Sequence, residues 1–371
     1  MLKISDILKR TKGHKKGKEE SVRKKPTFSK KPEPEPKPTQ PPLPAKKIVD
    51  ISPSGTDQPQ EKGSLNEDQA FQIKIENQDI IDVYQAAIVL VKELMSPFTS
   101  GGKKLIKQAD EVVKQFIEIL GKEPDELLML FFREYSVEKG YLYQHSVNVC
   151  ILSLKMGLDL HYGHNHLVQL GLAALVHDIG LAKFDSLIGQ PRWFNEQDSA
   201  EVRKHPLVGQ NILKKFAQEL DFVIFDVVRQ EHERIDGTGY PYGLKKDDIC
   251  EYAKIIGLVD AYEAIVHARP YRLRMDGREA IKELLTKKDA FDHNLVKNLI
   301  NNLGVFAVGT LVELNTKEIG MVIKQNPKMP FRPVVVMTHS AEGQRLEKQK
   351  SIDLSVNFAV YIKDAITKPE S

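Results

Sequence analysis

The sequence predicts a mainly α fold: a helical bundle with a helical lead-in, a small C-terminal β-rich extension and a disordered N-terminal tail. Three observations carry that expectation. Apolar residues recur at helical spacing from about residue 79 to about residue 300. After Leu303 short β-branched runs bounded by Gly, Pro, Asn and Lys take over. The first 64 residues are rich in Lys and Pro and show no sustained periodicity. The expected division is a tail over 1–64, a lead-in over 65–135, the main domain over 136–302 and the extension over 303–371.

The tail is too poor in apolar residues to offset the chain entropy that folding would cost. Its first residues, Leu2, Ile4, Ile7 and Leu8 among Lys3, Lys9 and Arg10, have the pattern of a short basic amphipathic helix. That pattern makes a membrane surface or a partner protein the tail's expected contact, against the plainer reading of a solvated tether. Residues 1–47 hold 15 Lys and Arg against 5 Asp and Glu, which leaves 39 against 46 for the remainder. The excess positive charge belongs to the tail, so specific nucleic-acid binding by the folded part is not expected.

The lead-in reads as helices. Ile80, Val83, Ala87, Leu90, Val91 and Leu94 share one face and stop at Ser96-Pro97; Ile106, Ala109, Val113, Phe116, Ile117 and Leu120 form the next; Pro124 and Asp125 open a third. A dimer contact here is a further expectation. Cys150 and Cys250 lie within apolar patterns at no metal or redox spacing and read as free thiols of a reducing compartment. With no signal-peptide pattern and no run of about 18 apolar residues, a cytoplasmic location is expected.

The chemistry concentrates at Ala173 to Lys183, where an apolar helical run ends in adjacent His177 and Asp178. A carboxylate at the end of such a run needs hydrogen bonds or a counter-charge, which a divalent cation supplies. Further candidate ligands are His145 on a helical pattern with Leu142, Val149 and Leu152, His205 before Pro206, His232 between Glu231 and Glu233, and Asp260 after the apolar run from Ile255 to Val259. His161, His164 and His166 lack a Cys or acid to complete a ligand set, and Asn165 reads there as a helix N-cap. His14, His267, His293 and His339 receive no role.

His177-Asp-Ile-Gly180, His205-Pro206, Asp236-Gly-Thr-Gly-Tyr-Pro241, Asp260-Ala-Tyr-Glu-Ala264 and Arg269-Pro-Tyr-Arg272 occur in that order. In this the chain resembles the HD-GYP phosphodiesterases that hydrolyse cyclic di-GMP, from roughly Ile80 onward. The resemblance implies an HD-domain helical bundle and a metal-dependent phosphodiesterase that linearises cyclic di-GMP to pGpG and further to GMP, through a hydroxide bridging two metals. It implies His145, His177, Asp178 and Asp260 around a first metal, with Asp178 bridging to a second held by His205, Glu231 and His232. Tyr240 and Pro241 would form a substrate wall, and Arg269 and Arg272 suit phosphate contacts or stacking on guanine.

Three positions depart from the family pattern. Glu231 stands where the family usually has His, which favours iron or manganese over zinc or nickel. Leu181 stands where Lys is common; Lys183 could act in its place if the chain leaves the helix after Gly180. Tyr141 stands where some members have Glu, so two metals are expected rather than three. The alternative reading, motivated by Glu231 and Leu181, is a catalytically weak or inactive cyclic di-GMP receptor that signals through a partner.

Overall fold

The computed structural model describes residues 77–96, 102–132, 141–190, 192–268, 275, 277–287, 289–326, 328–346 and 350–366. The tail, the start of the lead-in, Arg269 and Arg272 lie outside the described residues.

Three helices open the described chain: α1 (Gln78–Leu94), α2 (Gly102–Lys122) and α3 (Pro124–Phe131). The Asn77 side chain caps α1 by accepting from Asp79 N, and Pro124 opens α3 where a helix needs no N–H. Their apolar faces do not form a separate layer. Tyr84, Leu90, Val113, Phe116 and Phe131 join the same core as the helices that follow.

The centre of the bundle is α4 (Tyr141–Asp159) and α5 (His164–Val176), which are buried on nearly every side, as expected of helices wrapped by others. Packed against each other, they are flanked by α1, α2 and later by α10 (Glu251–Val266). The N-cap of α5 is Gly163 rather than Asn165, and His166 instead pairs through Nδ1 with the Tyr252 hydroxyl at 2.6 Å. The apolar segment 164–188 is long enough to cross a membrane, yet the most apolar part of it is largely buried within this bundle and serves as core.

After α5 the chain leaves α geometry for a 3-10 turn (Ile179–Phe184) and then resumes it in α6 (Asp185–Ile188), α7 (Glu196–Val202), α8 (His205–Leu213) and α9 (Phe222–Gln230). A capping box between Asn195 and Asp198 starts α7. After α10 come α11 (Gly277–Thr286) and α12 (His293–Leu303). Cys150 is buried inside α4, while Cys250 is the half-buried N-cap of α10 rather than part of a helical face.

The extension is a five-stranded antiparallel sheet: β1 (Leu311–Leu314), β2 (Ile319–Lys324), β3 (Val334–His339), β4 (Ser351–Asp353) and β5 (Ile362–Ala365), in the order β4-β3-β2-β1-β5. Val312, Leu314, Val322, Val335, Met337 and Leu354 face the helical core and merge with it. No helix forms among the described residues 354–366. Turns and β5 occupy that stretch because β1 offers a free edge and pairs Val312 with Ala365.

Candidate metal centre

Each candidate ligand sits where a local break or helix register aims it at one point. His145 is on α4, one turn in from its start; His177 is the C-cap of α5 and Asp178 follows it; His205 begins α8; Glu231 and His232 follow α9; Asp260 lies within α10. Pro206 favours the first turn of α8 because its missing N–H is not needed there. A Cβ on Gly257 would strike the Glu231 carbonyl, so glycine lets α10 run against the end of α9.

Two ligand sets share Asp178. Its Oδ2 lies 3.4 Å from His145 Nε2 and 3.3 Å from His177 Nε2, and Asp260 Oδ1 lies 3.2 Å from His145 Nε2. Asp178 Oδ1 lies 3.2 Å from His205 Nε2. Glu231 Oε1 stands 3.6 Å from that nitrogen and 3.9 Å from His232 Nε2, and the two Nε2 atoms of His205 and His232 are 3.0 Å apart. Ligand atoms of Asp178, His205, Glu231 and His232, and separately of His145, His177 and Asp178, all fall within 4.8 Å of one another.

The outer nitrogens of three rings are fastened. His177 Nδ1 donates to the Ala174 carbonyl and His205 Nδ1 to the Val202 carbonyl, both at 2.8 Å, since a carbonyl can only accept. His145 Nδ1 faces the Glu263 carboxylate at 2.5 Å. In its neutral form, with the proton on Nδ1, each ring turns the Nε2 lone pair toward the cluster, which is the tautomer a metal ligand requires.

The electrostatics favour positive charge at the centre. Burial opposes a charged His177, but Asp178 and Glu231 outweigh it and carry its pKa up to about 9; His205, buried likewise, reaches about 10 beside the same two carboxylates. Burial pushes Glu231 up to about 7, and burial with His205 nearby pushes His232 down to about 3. Burial also opposes the Asp260 charge, yet the His145 hydrogen bond holds it down at about 2.

The residues fit a pair of divalent cations. His177 Nε2, Asp178 Oδ1 and both Glu231 oxygens are buried and make no hydrogen bond with any described residue. Orphaned buried acceptors of this kind cost free energy unless a cation meets them. Imidazole nitrogens and carboxylate oxygens are the donors that first-row divalent metals take.

The other expected residues divide. The Tyr240 ring stacks on His232 at 4.7 Å between centroids, and the Arg203 guanidinium carbon lies 5.2 Å from the Tyr240 ring centroid, so Tyr240 and the adjoining Pro241 stand beside the second ligand set. Lys183 does not join the cluster. Although the chain does leave the α-helix after Gly180, the 3-10 turn sends this exposed side chain to a cleft of about 350 Å3 with Leu94, Met95, Lys103, Lys215 and Phe216. Leu181 and Tyr141, two departures from the family pattern, share a small apolar cluster with Leu142 and Ile188.

Sequence reasoning missed Glu263, Asn148, Tyr84 and His267, which lie behind His145. An acid three residues after Asp260, inside an apolar helix, was the available signal. It also missed Glu233, whose buried carboxylate accepts from Tyr242 N at 2.7 Å and Leu244 N at 2.9 Å and so pins the Gly-Tyr-Pro loop.

Comparison with known proteins agrees with this geometry. Residues 133–295 match the HD domain family, and residues 311–371 match a KOW domain associated with HD domains. The chain is 32% identical over 247 residues to the cyclic di-GMP phosphodiesterase PA4108 of Pseudomonas aeruginosa, covering 66% of this chain and 59% of that one. It is 28% identical over 247 residues to the cyclic di-GMP phosphodiesterase PdeB of Borreliella burgdorferi, covering 65% of this chain and 64% of that protein. The 3'3'-cGAMP-specific phosphodiesterase 1 of Vibrio cholerae is 30% identical over 157 residues, 42% of this chain and 36% of that protein. The chain thus spans about six-tenths of the length of the first two relatives. The solved structure of Bd1817, an HDG"Y"P protein from Bdellovibrio bacteriovorus, matches in fold with a TM-score of 0.52 at 18% identity, over 62% of this chain and 72% of that one. The chain thus carries an HD domain over residues 133–295 and is similar in sequence to cyclic di-GMP phosphodiesterases.

Proposed function

We propose that this protein is a metal-dependent phosphodiesterase that opens cyclic di-GMP to pGpG and carries it on to GMP. The observation that carries the reading is Asp178, whose two oxygens face two separate ligand sets at 3.2–3.4 Å. Divalent cations held there by His145, His177, Asp178 and Asp260, and by Asp178, His205, Glu231 and His232, would supply Lewis acidity and a water of lowered pKa. Glu231 adds a second carboxylate to the second set beside Asp178 Oδ1, and hard oxygen donors favour iron or manganese.

The protein's own groups do the positioning. Carbonyls of Ala174 and Val202 hold His177 and His205 in the tautomer that presents Nε2. Tyr240, stacked on His232, and Glu233, pinning the following residues, hold the Gly-Tyr-Pro loop at the second ligand set. Asp178, Glu231 and Asp260 would repel a phosphodiester anion unless cations neutralise them, so substrate binding depends on metal.

A receptor reading is favoured by one observation: Leu181 is buried among Tyr141, Leu142 and Ile188, leaving that flank of the centre apolar rather than cationic. The test is to purify the full chain without oxygen, count its metals, and follow products from cyclic di-GMP and from 3'3'-cGAMP. Two metal equivalents and turnover of cyclic di-GMP are expected, with both lost in Asp178→Ala. Binding without turnover under iron, manganese, zinc and nickel alike would sink the enzyme and leave the receptor.

A further inference from the structure

We propose that Glu263 is a positioning residue for His145, and that Tyr84 on α1 sets that position through Asn148. Unlike the other two fastened rings, His145 is oriented by tertiary structure. His177 and His205 donate to carbonyls three residues earlier in their own segments, whereas His145 Nδ1 reaches across to α10, 118 residues away in sequence.

Glu263 has no exposure to solvent, and both its oxygens are engaged. Oε2 meets His145 Nδ1 at 2.5 Å; Oε1 accepts from Asn148 Nδ2 at 3.3 Å and lies 3.2 Å from His267 Nδ1. Burial opposes its charge, yet His145 and His267 hold its carboxyl well below the usual range. His267 in turn is tied through Nε2 to the Phe131 carbonyl at 2.8 Å, at the end of α3.

The relay has a direction. Gln144 Nε2 donates to the Tyr84 hydroxyl at 3.0 Å, and that hydroxyl donates to Asn148 Oδ1 at 2.8 Å. Its amide oxygen thus fixed, Asn148 has its nitrogen aimed at Glu263. Asn148 is fully buried and Tyr84 nearly so, which leaves little room for the amide to turn over. Residue 84 belongs to the first described helix, so the placement of α1 is transmitted to a ligand of the first set, formed with His177, Asp178 and Asp260. The second set, formed by His205, Glu231 and His232, takes no part in the relay.

The inference rests on the two-metal reading of the centre but not on turnover, so its test reads metal alone. Metal-free full-length protein is titrated with Mn²⁺ against a competing chelator, and with Co²⁺ followed by visible absorption, for the unsubstituted chain, Glu263→Gln and Tyr84→Phe. Folding is checked by circular dichroism. The unsubstituted chain binds two equivalents. In Glu263→Gln one equivalent weakens by roughly 10- to 100-fold, the scale for removing a partner behind a histidine ligand. In Tyr84→Phe the same equivalent weakens by roughly 2- to 10-fold, the scale of one lost hydrogen bond. The other equivalent stays unchanged in both, and only the weakened one alters its Co²⁺ spectrum. Unchanged affinity in either folded variant, or equal weakening of both equivalents, overturns the proposal. If Glu263→Gln does not fold, Tyr84→Phe decides it. Failure to turn over cyclic di-GMP would count against the enzyme reading and leave this result standing.

Discussion

Gly180 lies so close to His205 that a Cβ on it would collide with the His205 carbonyl oxygen and crowd Gly209 N. That contact locks the 3-10 turn following Asp178 onto the first turn of α8. It thereby fixes the 3.2 Å separation between Asp178 Oδ1 and His205 Nε2 on which the second ligand set depends.

Gly180→Ala must therefore push two backbones apart. Overpacking of this kind costs about 1–3 kcal/mol, and for a chain of this size each kcal/mol lowers Tm by roughly 2–4 °C. The expected outcome is a Tm several degrees lower and loss of at least one metal equivalent. Calorimetry with metal analysis checks both, and an unaltered metal content would contradict the contact's role.

Stability should depend on pH in opposite ways with and without metal. Glu231, His177 and His205 titrate at about 7, 9 and 10 in the metal-free fold, against ordinary values of 4.5, 6.5 and 6.5. Raised values make the folded state the better proton binder. The stability they contribute is full below the ordinary values and drains away as pH rises through the folded ones. His232, held at about 3, acts in the other direction, but only between that value and 6.5. Metal requires the ligands deprotonated and binds more tightly as pH rises. The gap in Tm between metal-loaded and chelated protein should widen from about pH 6 to about pH 9. A gap that narrows over that range would show the site is not proton-linked in this sense.

Glu233→Ala removes the acceptor for Tyr242 N and Leu244 N. Two hydrogen bonds to a buried carboxylate are lost, each of about 1.5–3 kcal/mol. Metal content should persist, the loop from Gly237 to Gly243 should become sensitive to limited proteolysis, and KM for the cyclic dinucleotide should rise more than kcat falls. Loss of metal in this variant would mean that Glu233 supports the centre directly.

Helix and strand identity, and most of the ligand set, could be read from local pattern. Apolar spacing on one segment fixes a face, a His-Asp pair closing an apolar run exposes an uncompensated charge, and β-branched runs after Leu303 require a sheet. Family resemblance added Glu231 and His232 as a pair. Direction and partnership were not legible. The spacing of Lys183 was compatible with the centre, but the 3-10 turn turned it toward the cleft beside Phe216. Likewise, nothing near His267 in sequence indicates Phe131, and nothing near Tyr84 indicates Asn148, residues that meet only once α1, α3, α4 and α10 close on one core. The geometry of a helix sets positions within an element over a few residues, so sequence determines it. Which buried polar group faces which across elements is set by packing over more than a hundred residues, so only the folded chain decides it.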